Sequence, residues 1–164
     1  MTSIRIIEGP EQPTAGIRER VRMDDLASFF SRAFHDTLEA LQEQGVSASG
    51  APFGKYYGTP TETVDIEAGY PIATHFVPTR NVISGMLPAG ERLEATHVGL
   101  YETIGSAYAD AARHMSEANL APAGLMWETY LSDPTTEPDP QHLLTRICWP
   151  VTKTGKTSKQ GDRR

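Results

Sequence analysis

Residues 125–134 read LMWETYLSDP, and the placement of one carboxylate in that stretch decides how the rest of the chain is read. Strand alternation puts Met126, Glu128 and Tyr130 on one face and Trp127, Thr129 and Leu131 on the other. Glu128 therefore shares its face with a thioether and a phenol instead of with other charges. Burying an unpaired carboxylate costs several kcal/mol or shifts its protonation equilibrium. Two readings stay open at this point: a wet strand end where Glu128 bonds a neighbouring arginine, or an enclosed acid that has a use for its charge.

Working outward, the clearest element is helical. Leu26, Phe29, Phe30, Ala33, Phe34, Leu38 and Leu41 recur at helical spacing, with Asp24 as the expected N-cap and Gly45 as the stop. Tyr101, Ile104, Tyr108, Ala111 and Met115 mark a second helix that ends near Asn119. Strands are expected at 4–7, 15–21, 55–57, 63–67, 82–87, 92–98 and 143–149, beside the organising stretch. The strands at 82–87 and 92–98 form an expected pair joined by the turn Pro88-Ala89-Gly90.

That order repeats. A shift of 74 residues lays Ala15-Gly16 on Ala89-Gly90, Ala33 on Ala107, Gly50 on Gly124, Tyr56 on Tyr130 and Pro60 on Pro134. The matches fall at turns and strand positions, and strand, strand, helix, strand, strand occurs twice. The expectation is an internal duplication, with repeats at about 3–76 and 77–151 related by a pseudo-two-fold axis. Two long helices would lie on one side of a mainly antiparallel sheet, with a ligand groove where the halves meet. In this register Glu128 matches Gly54, so the acid belongs to one half only and its small counterpart is expected to leave room for a ligand.

Several segments now carry a resemblance. MLPAGERLEATHVGLYETIGSAY (86–108) and GLMWETYLSDP (124–134), with GAPFGKYYG (50–58), DIEAGYPI (65–72) and LLTRICWPV (143–151), occur in order over nearly the whole chain. Together they resemble the GyrI-like (gyrase-inhibitor-like) small-molecule-binding family, the effector-binding domain of multidrug-responsive transcription regulators. The resemblance implies an α+β fold of two duplicated βαββ-type halves around a groove that receives cationic or aromatic compounds, with a buried Glu matching Glu128. Tyr101 matches the family's tyrosine after His97, and Tyr130 the residue two past the Glu. Leu100 stands where the family has proline. The implied organisation is one effector-binding domain over 1–152. A DNA-binding module is not seen, so a stand-alone domain is expected, with a separate DNA-binding regulator or gyrase as partner.

The pocket expected from this reading sets Glu128 among Tyr56, Tyr101 and Tyr130, with Met126 on the same face, Gly54 opposite, and Trp127 as a further ring if the strand twists. Such a site offers a delocalised cation both charge and ring faces. Tyr108 reads as a core residue and Tyr101 as a pocket residue on the resemblance. His97 reads either as a backbone partner near Gly99 or as a catalytic group. Two functions follow. One is binding or sensing of hydrophobic, often cationic aromatic compounds; the other is hydrolysis of cyclopropane-containing alkylating natural products, with Glu128, His97 and Tyr101 as catalytic groups. A gyrase-inhibitor-type protein inhibitor is a weaker third.

Composition and motifs narrow the field. No apolar run approaches the roughly 20 residues of a membrane span, and MTSIRIIEGP lacks the basic and apolar parts of a secretory signal. The one cysteine, Cys148, cannot form an intramolecular disulfide and fits a reducing compartment, so a cytoplasmic location is expected. In residues 153–164, five basic residues against Asp162 give +4, leaving −10 on the remainder of a chain whose formal net charge is −6. An acidic body argues against direct nucleic-acid binding, and the basic tail, with nothing apolar to bury, is expected to be disordered. The five histidines show no paired zinc spacing, phosphate-binding glycine loops are absent, and no metal or cofactor is expected.

Overall fold

The computed structural model describes residues 2–132 and 137–154. Its elements in chain order are β1 (Thr2–Gly9), β2 (Gln12–Arg22), α1 (Leu26–Glu43), β3 (Phe53–Tyr57), β4 (Thr63–Pro71), β5 (Ile83–Leu87), β6 (Gly90–Val98), α2 (Gly105–Glu117), β7 (Leu120–Pro122), β8 (Leu125–Tyr130) and β9 (Leu144–Lys153). The expected α+β class holds: two helices cover a curled, antiparallel sheet. No helix among the described residues is long and apolar enough to cross a membrane.

The strand order is β1-β6-β9-β8-β3-β4-β2-β5, with β7 paired to β9. It reads the same in both directions once β1 is matched to β5, β2 to β6, β3 to β8 and β4 to β9. Gly54 pairs with Glu128 across the central β3–β8 junction. The 74-residue shift that relates the halves also carries 54 to 128, so the pseudo-axis passes through this pair.

One expectation fails here. Residues 82–87 and 92–98 do not pair with each other; β5 pairs with β2, and β6 with β1 and β9. Thr2 lies opposite His97 and Gln12 opposite Leu87, so both ladders share one register, the paired numbers adding to 99 in each. The segment Pro88-Ala89-Gly90 is therefore a bend in one extended line, with Gly90 at φ +131, and not a hairpin. The first strand of each half is exchanged into the other half, which ties the two together.

Local chemistry explains the covering helices. On α1, Phe29, Ala33, Thr37, Ala40 and Leu41 are buried, the spacing of one helical face. They pack on Ile17, Val64, Ile66 and Ala68. Gly45, at φ +68, closes the helix with Gly45 N–H donating to Gln42 O and Val46 N–H to Leu41 O, a left-handed cap that glycine adopts without strain. Asp24 is not the N-cap: a 3-10 turn at Met23–Asp25 precedes α1, and Asp24 pairs with Arg22 at 3.2 Å. On α2, Ala107, Ala111 and Met115 face Leu93, Ala95 and Ile147. Tyr101 begins a 3-10 turn ahead of this helix, and β7 follows it, an element without a strand signal in the sequence. On the other sheet face, Phe53, Leu87, Trp127 and Cys148 form a separate small core. Lys153 closes β9, whereas Pro134 and residues 155–164 of the basic tail lie outside the described residues.

β2 and β4 approach unusually closely where Gly16 pairs with Gly69. A Cβ on Gly69 would stand 2.0 Å from Ala15 O, and one on Gly16 2.5 Å from Ala68 O. Backbone cannot yield as a side chain can. Gly69→Ala is expected to destabilise the fold by about 1–3 kcal/mol, read as a lowered urea midpoint with unchanged slope; a midpoint equal to that of the parent chain would show that the strands can separate freely.

Candidate functional site

β8 presents Glu128 toward the helices, and the carboxylate is 2% exposed. Three phenols reach it. Tyr101 O–H donates to Oε1 at 2.7 Å, Tyr130 O–H to Oε1 at 2.8 Å, and Tyr108 O–H to Oε2. Tyr56, on β3, is buried in the same cluster, hydrogen-bonded with Tyr101 and Tyr130 and in the field of Glu128. No ion pair reaches Glu128 among the described residues. The acid is thus enclosed, as one of the two sequence readings held, and its partners are all neutral.

Each donor arrives on a different element. Tyr101 sits in the 3-10 turn after β6, Tyr108 in the first turn of α2, and Tyr130 two residues along β8 from the acid it serves. Tyr108 was expected to be core alone, yet its hydroxyl also contacts Met126 Sδ at 3.8 Å while its ring meets Trp149 edge-on at 5.8 Å. The signal that could have found it is the seven-residue spacing from Tyr101, which on a continuous helix would put both phenols on one face.

A groove of about 840 Å³ opens in front of this cluster. Leu26, Phe30 and Phe34 of α1 form one wall, Tyr101 and Tyr130 the floor, and Leu143, Leu144 and Thr145 the far side. Tyr130 meets Phe30 edge-on at 5.7 Å and Tyr101 at 6.2 Å. Tyr101 is 44% exposed, so one edge of its ring faces the groove while its hydroxyl points inward to Glu128. Phe30 and Phe34, which the sequence marks only as one face of a helix, and Tyr70 of β4, which it leaves unmarked, also line the groove; an aromatic stripe on a helix reads as packing.

Trp127, Gly54 and His97 take other places than the sequence suggested. Trp127 is 3% exposed and lies on the opposite sheet face, in the core with Phe53 and Cys148, because β8 keeps regular alternation. Its ring does not join the cluster; Trp149 is the tryptophan on that side. Gly54 does not leave room for a ligand: a Cβ there would come within 2.8 Å of both Phe30 Cε1 and Tyr130 Oη, so the space is already filled. His97, 3% exposed, has Nε2 at 3.0 Å from both Leu100 O and Thr103 Oγ1. It braces the turn that carries Tyr101 and makes no hydrogen bond to Glu128. His35, Asp36 and Glu39 on α1 bring one potential ligand atom each within 4.8 Å of one another, away from this groove.

Burial, first, and then the neighbouring Glu128 charge hold the hydroxyls of Tyr101, Tyr108 and Tyr130 above the usual phenol value of 10.0. The same two influences raise Tyr56, where its hydrogen bonds with Tyr101 and Tyr130 oppose them. Because the folded values lie above the unfolded one, the stability tied to these protons is complete below pH 10.0 and is lost as the pH climbs above it. Phenolate absorbance from these four residues should therefore appear only together with loss of the native circular dichroism signal. Ionisation of all tyrosines near pH 10 in a still-folded protein would contradict the cluster.

The chain matches the model of the GyrI-like small molecule binding domain over residues 2–152. No curated protein matches it. Among solved structures it is similar to the EcmrR C-terminal domain, with TM-score 0.78 and 17% identity over 94% of this chain and 98% of that one. It is also similar to the EcmrR chain in the cryo-EM structure of an EcmrR–DNA complex, with TM-score 0.79 and 19% identity over 94% of this chain, and it spans 58% of that longer chain. A third similar structure is SAV2435 bound to tetraphenylphosphonium, at TM-score 0.62 and 13% identity, covering 92% of this chain and 94% of that one. With the match spanning 2–152, this chain belongs to the GyrI-like small-molecule-binding domain family.

Proposed function

We propose that the groove between the halves binds hydrophobic, often cationic aromatic compounds, and that Glu128 supplies the charge that favours cations. The proposal treats residues 1–152 as one effector-binding domain, in which repeats 3–76 and 77–151 each contribute walls. The observation that carries it is a carboxylate 2% exposed whose hydrogen bonds all come from neutral phenols. Hydrogen bonds to a charged acceptor contribute about 1.5–3 kcal/mol each, enough to keep the acid inside but leaving its charge uncancelled. A delocalised cation enters such a site at low desolvation cost, stacks on Tyr101, Tyr130 and Phe30, and completes the charge balance. Tyr101 is the movable member. It combines ring exposure toward the groove with a hydroxyl on Glu128 Oε1, so its rotation opens that oxygen to a ligand.

The TPP complex of a similar protein suggests a probe. Neutral triphenylphosphine oxide keeps three of the four phenyl rings of tetraphenylphosphonium around a tetrahedral phosphorus and carries no net charge. Glu128→Gln is expected to weaken the phosphonium by roughly 10- to 100-fold, about 1.4–2.8 kcal/mol, and to leave the oxide within about two-fold. Equal losses for both would remove the charge from the account.

Both Glu128 oxygens are occupied by hydroxyls, and His97 is turned to Leu100 O and Thr103, which favours binding over hydrolysis. A cyclopropyl-indole alkylator incubated with the protein should be recovered intact by mass spectrometry. Ring-opened product, formed catalytically and lost in Glu128→Gln, would replace binding with turnover.

A further inference from the structure

The sheet face opposite Glu128 holds a second cavity, of about 300 Å³, at the lower end of the size range of ligand pockets. Its walls include Phe53, Trp127, Cys148, Arg92, Glu94 and Arg146. The two cavities share only Ala51 and Leu131 at their rims, with the β3–β8 layer between them.

Charge is unevenly distributed here. Glu94, 4% exposed, accepts from Arg5 Nε and Nη2 at 3.1 and 2.8 Å on Oε1, and from Arg92 Nε at 3.1 Å on Oε2, where Arg92 Nη2 also approaches to 3.0 Å. Both of its oxygens are therefore used. Arg146, half-buried on β9, adds a third guanidinium in the field of Glu94 and forms no ion pair among the described residues. Burial pushes the Cys148 thiol up to about 12, so it brings no negative charge. The Arg5 side chain is 66% exposed and screened by water, but Arg92 is 15% exposed. Even without Arg5, two guanidiniums face one carboxylate.

Two of the remaining lining residues are aromatic. Trp127 and Phe53 are 3% and 1% exposed, and Arg92 Cζ lies 5.3 Å from the centroid of the Trp127 ring. A guanidinium with no ion pair among the described residues, beside aromatic side chains, is complementary to a planar body that carries an acid group, since the planar fork of arginine matches a carboxylate bidentately. We propose that this cavity binds a small aromatic carboxylate, its acid group on Arg146 and its ring against Trp127 and Phe53. The site is independent of the cation groove and takes ligands of opposite charge.

Benzoate and its neutral analogue benzamide test the proposal on the full chain. Benzoate should raise the melting temperature in a dose-dependent way, and benzamide at equal concentration should not. Arg146→Gln, at a position without an ion pair to break among the described residues, is expected to weaken benzoate by roughly ten-fold or more. Saturating tetraphenylphosphonium should leave the benzoate affinity unchanged. Absence of a benzoate shift, an equal shift with benzamide, undiminished benzoate binding in Arg146→Gln, or competition by the phosphonium would each overturn it. Should Arg146→Gln fail to fold, the benzoate and benzamide comparison on the unaltered chain decides alone.

Discussion

A carboxylate enclosed without a counter-cation among the described residues is the constraint that the rest of the groove answers to. At an effective interior dielectric of about 20, opposite charges 4 Å apart attract by about 4 kcal/mol, and Glu128 forgoes that attraction. Three phenols stand in its place. They supply directed hydrogen bonds, exclude water and retain their protons, because the same burial and the same charge hold their ionisation above the ordinary phenol range. The arrangement is self-consistent: the acid raises the phenols, and the protonated phenols keep the acid solvated by protein.

Two other acids are buried among the described residues, and the contrast is informative. Glu94 is matched by the guanidiniums of Arg5 and Arg92. Glu67, 2% exposed, accepts from Tyr57 O–H at 2.6 Å and lies in the field of Lys55, whose ammonium donates to Met86 O at 2.8 Å. Gly85 makes room for it, since a Cβ there would stand 2.4 Å from Glu67 Oε2. Both of these acids face the side of the sheet away from the helices and have a cation close by. Glu128 alone of the three faces the helices, behind the Tyr101 and Tyr130 that line the groove, and it alone is held by three phenols. The pseudo-two-fold heightens the difference, because the acid sits on the axis itself, opposite a glycine. An exact duplication could not hold a single charge there without a second in contact with it, so divergence of the halves at 54 and 128 is what makes one central acid possible.

Much of the fold was legible because periodicity is local. The spacing of Phe29, Ala33 and Leu41 and of Ala107, Ala111 and Met115 marks the buried faces of both helices, and alternation in β8 already separates Glu128 from Trp127. The ordered segments by themselves resemble the GyrI-like family, to which the chain belongs. Strand partnership was less legible. The turn Pro88-Ala89-Gly90 reads as a hairpin, whereas β5 and β6 pair with β2 and β1 from far along the chain. A turn signal says that the chain changes direction or register; it does not say which strand will lie alongside.

The sequence by itself determined which faces are apolar, where the helices stop, and that one acid shares a face with a thioether and a phenol, since those properties depend on side chains a few positions apart. Only the tertiary structure decided that Tyr101, Tyr108 and Tyr130 converge on Glu128, that Phe30 and the Tyr130 hydroxyl occupy the space beside Gly54, and that His97 turns to Leu100 and Thr103. Hydrogen-bond partners 20 or 27 residues apart in the chain are selected by how helices settle on a twisted sheet, and that packing is a property of the whole core rather than of any segment within it.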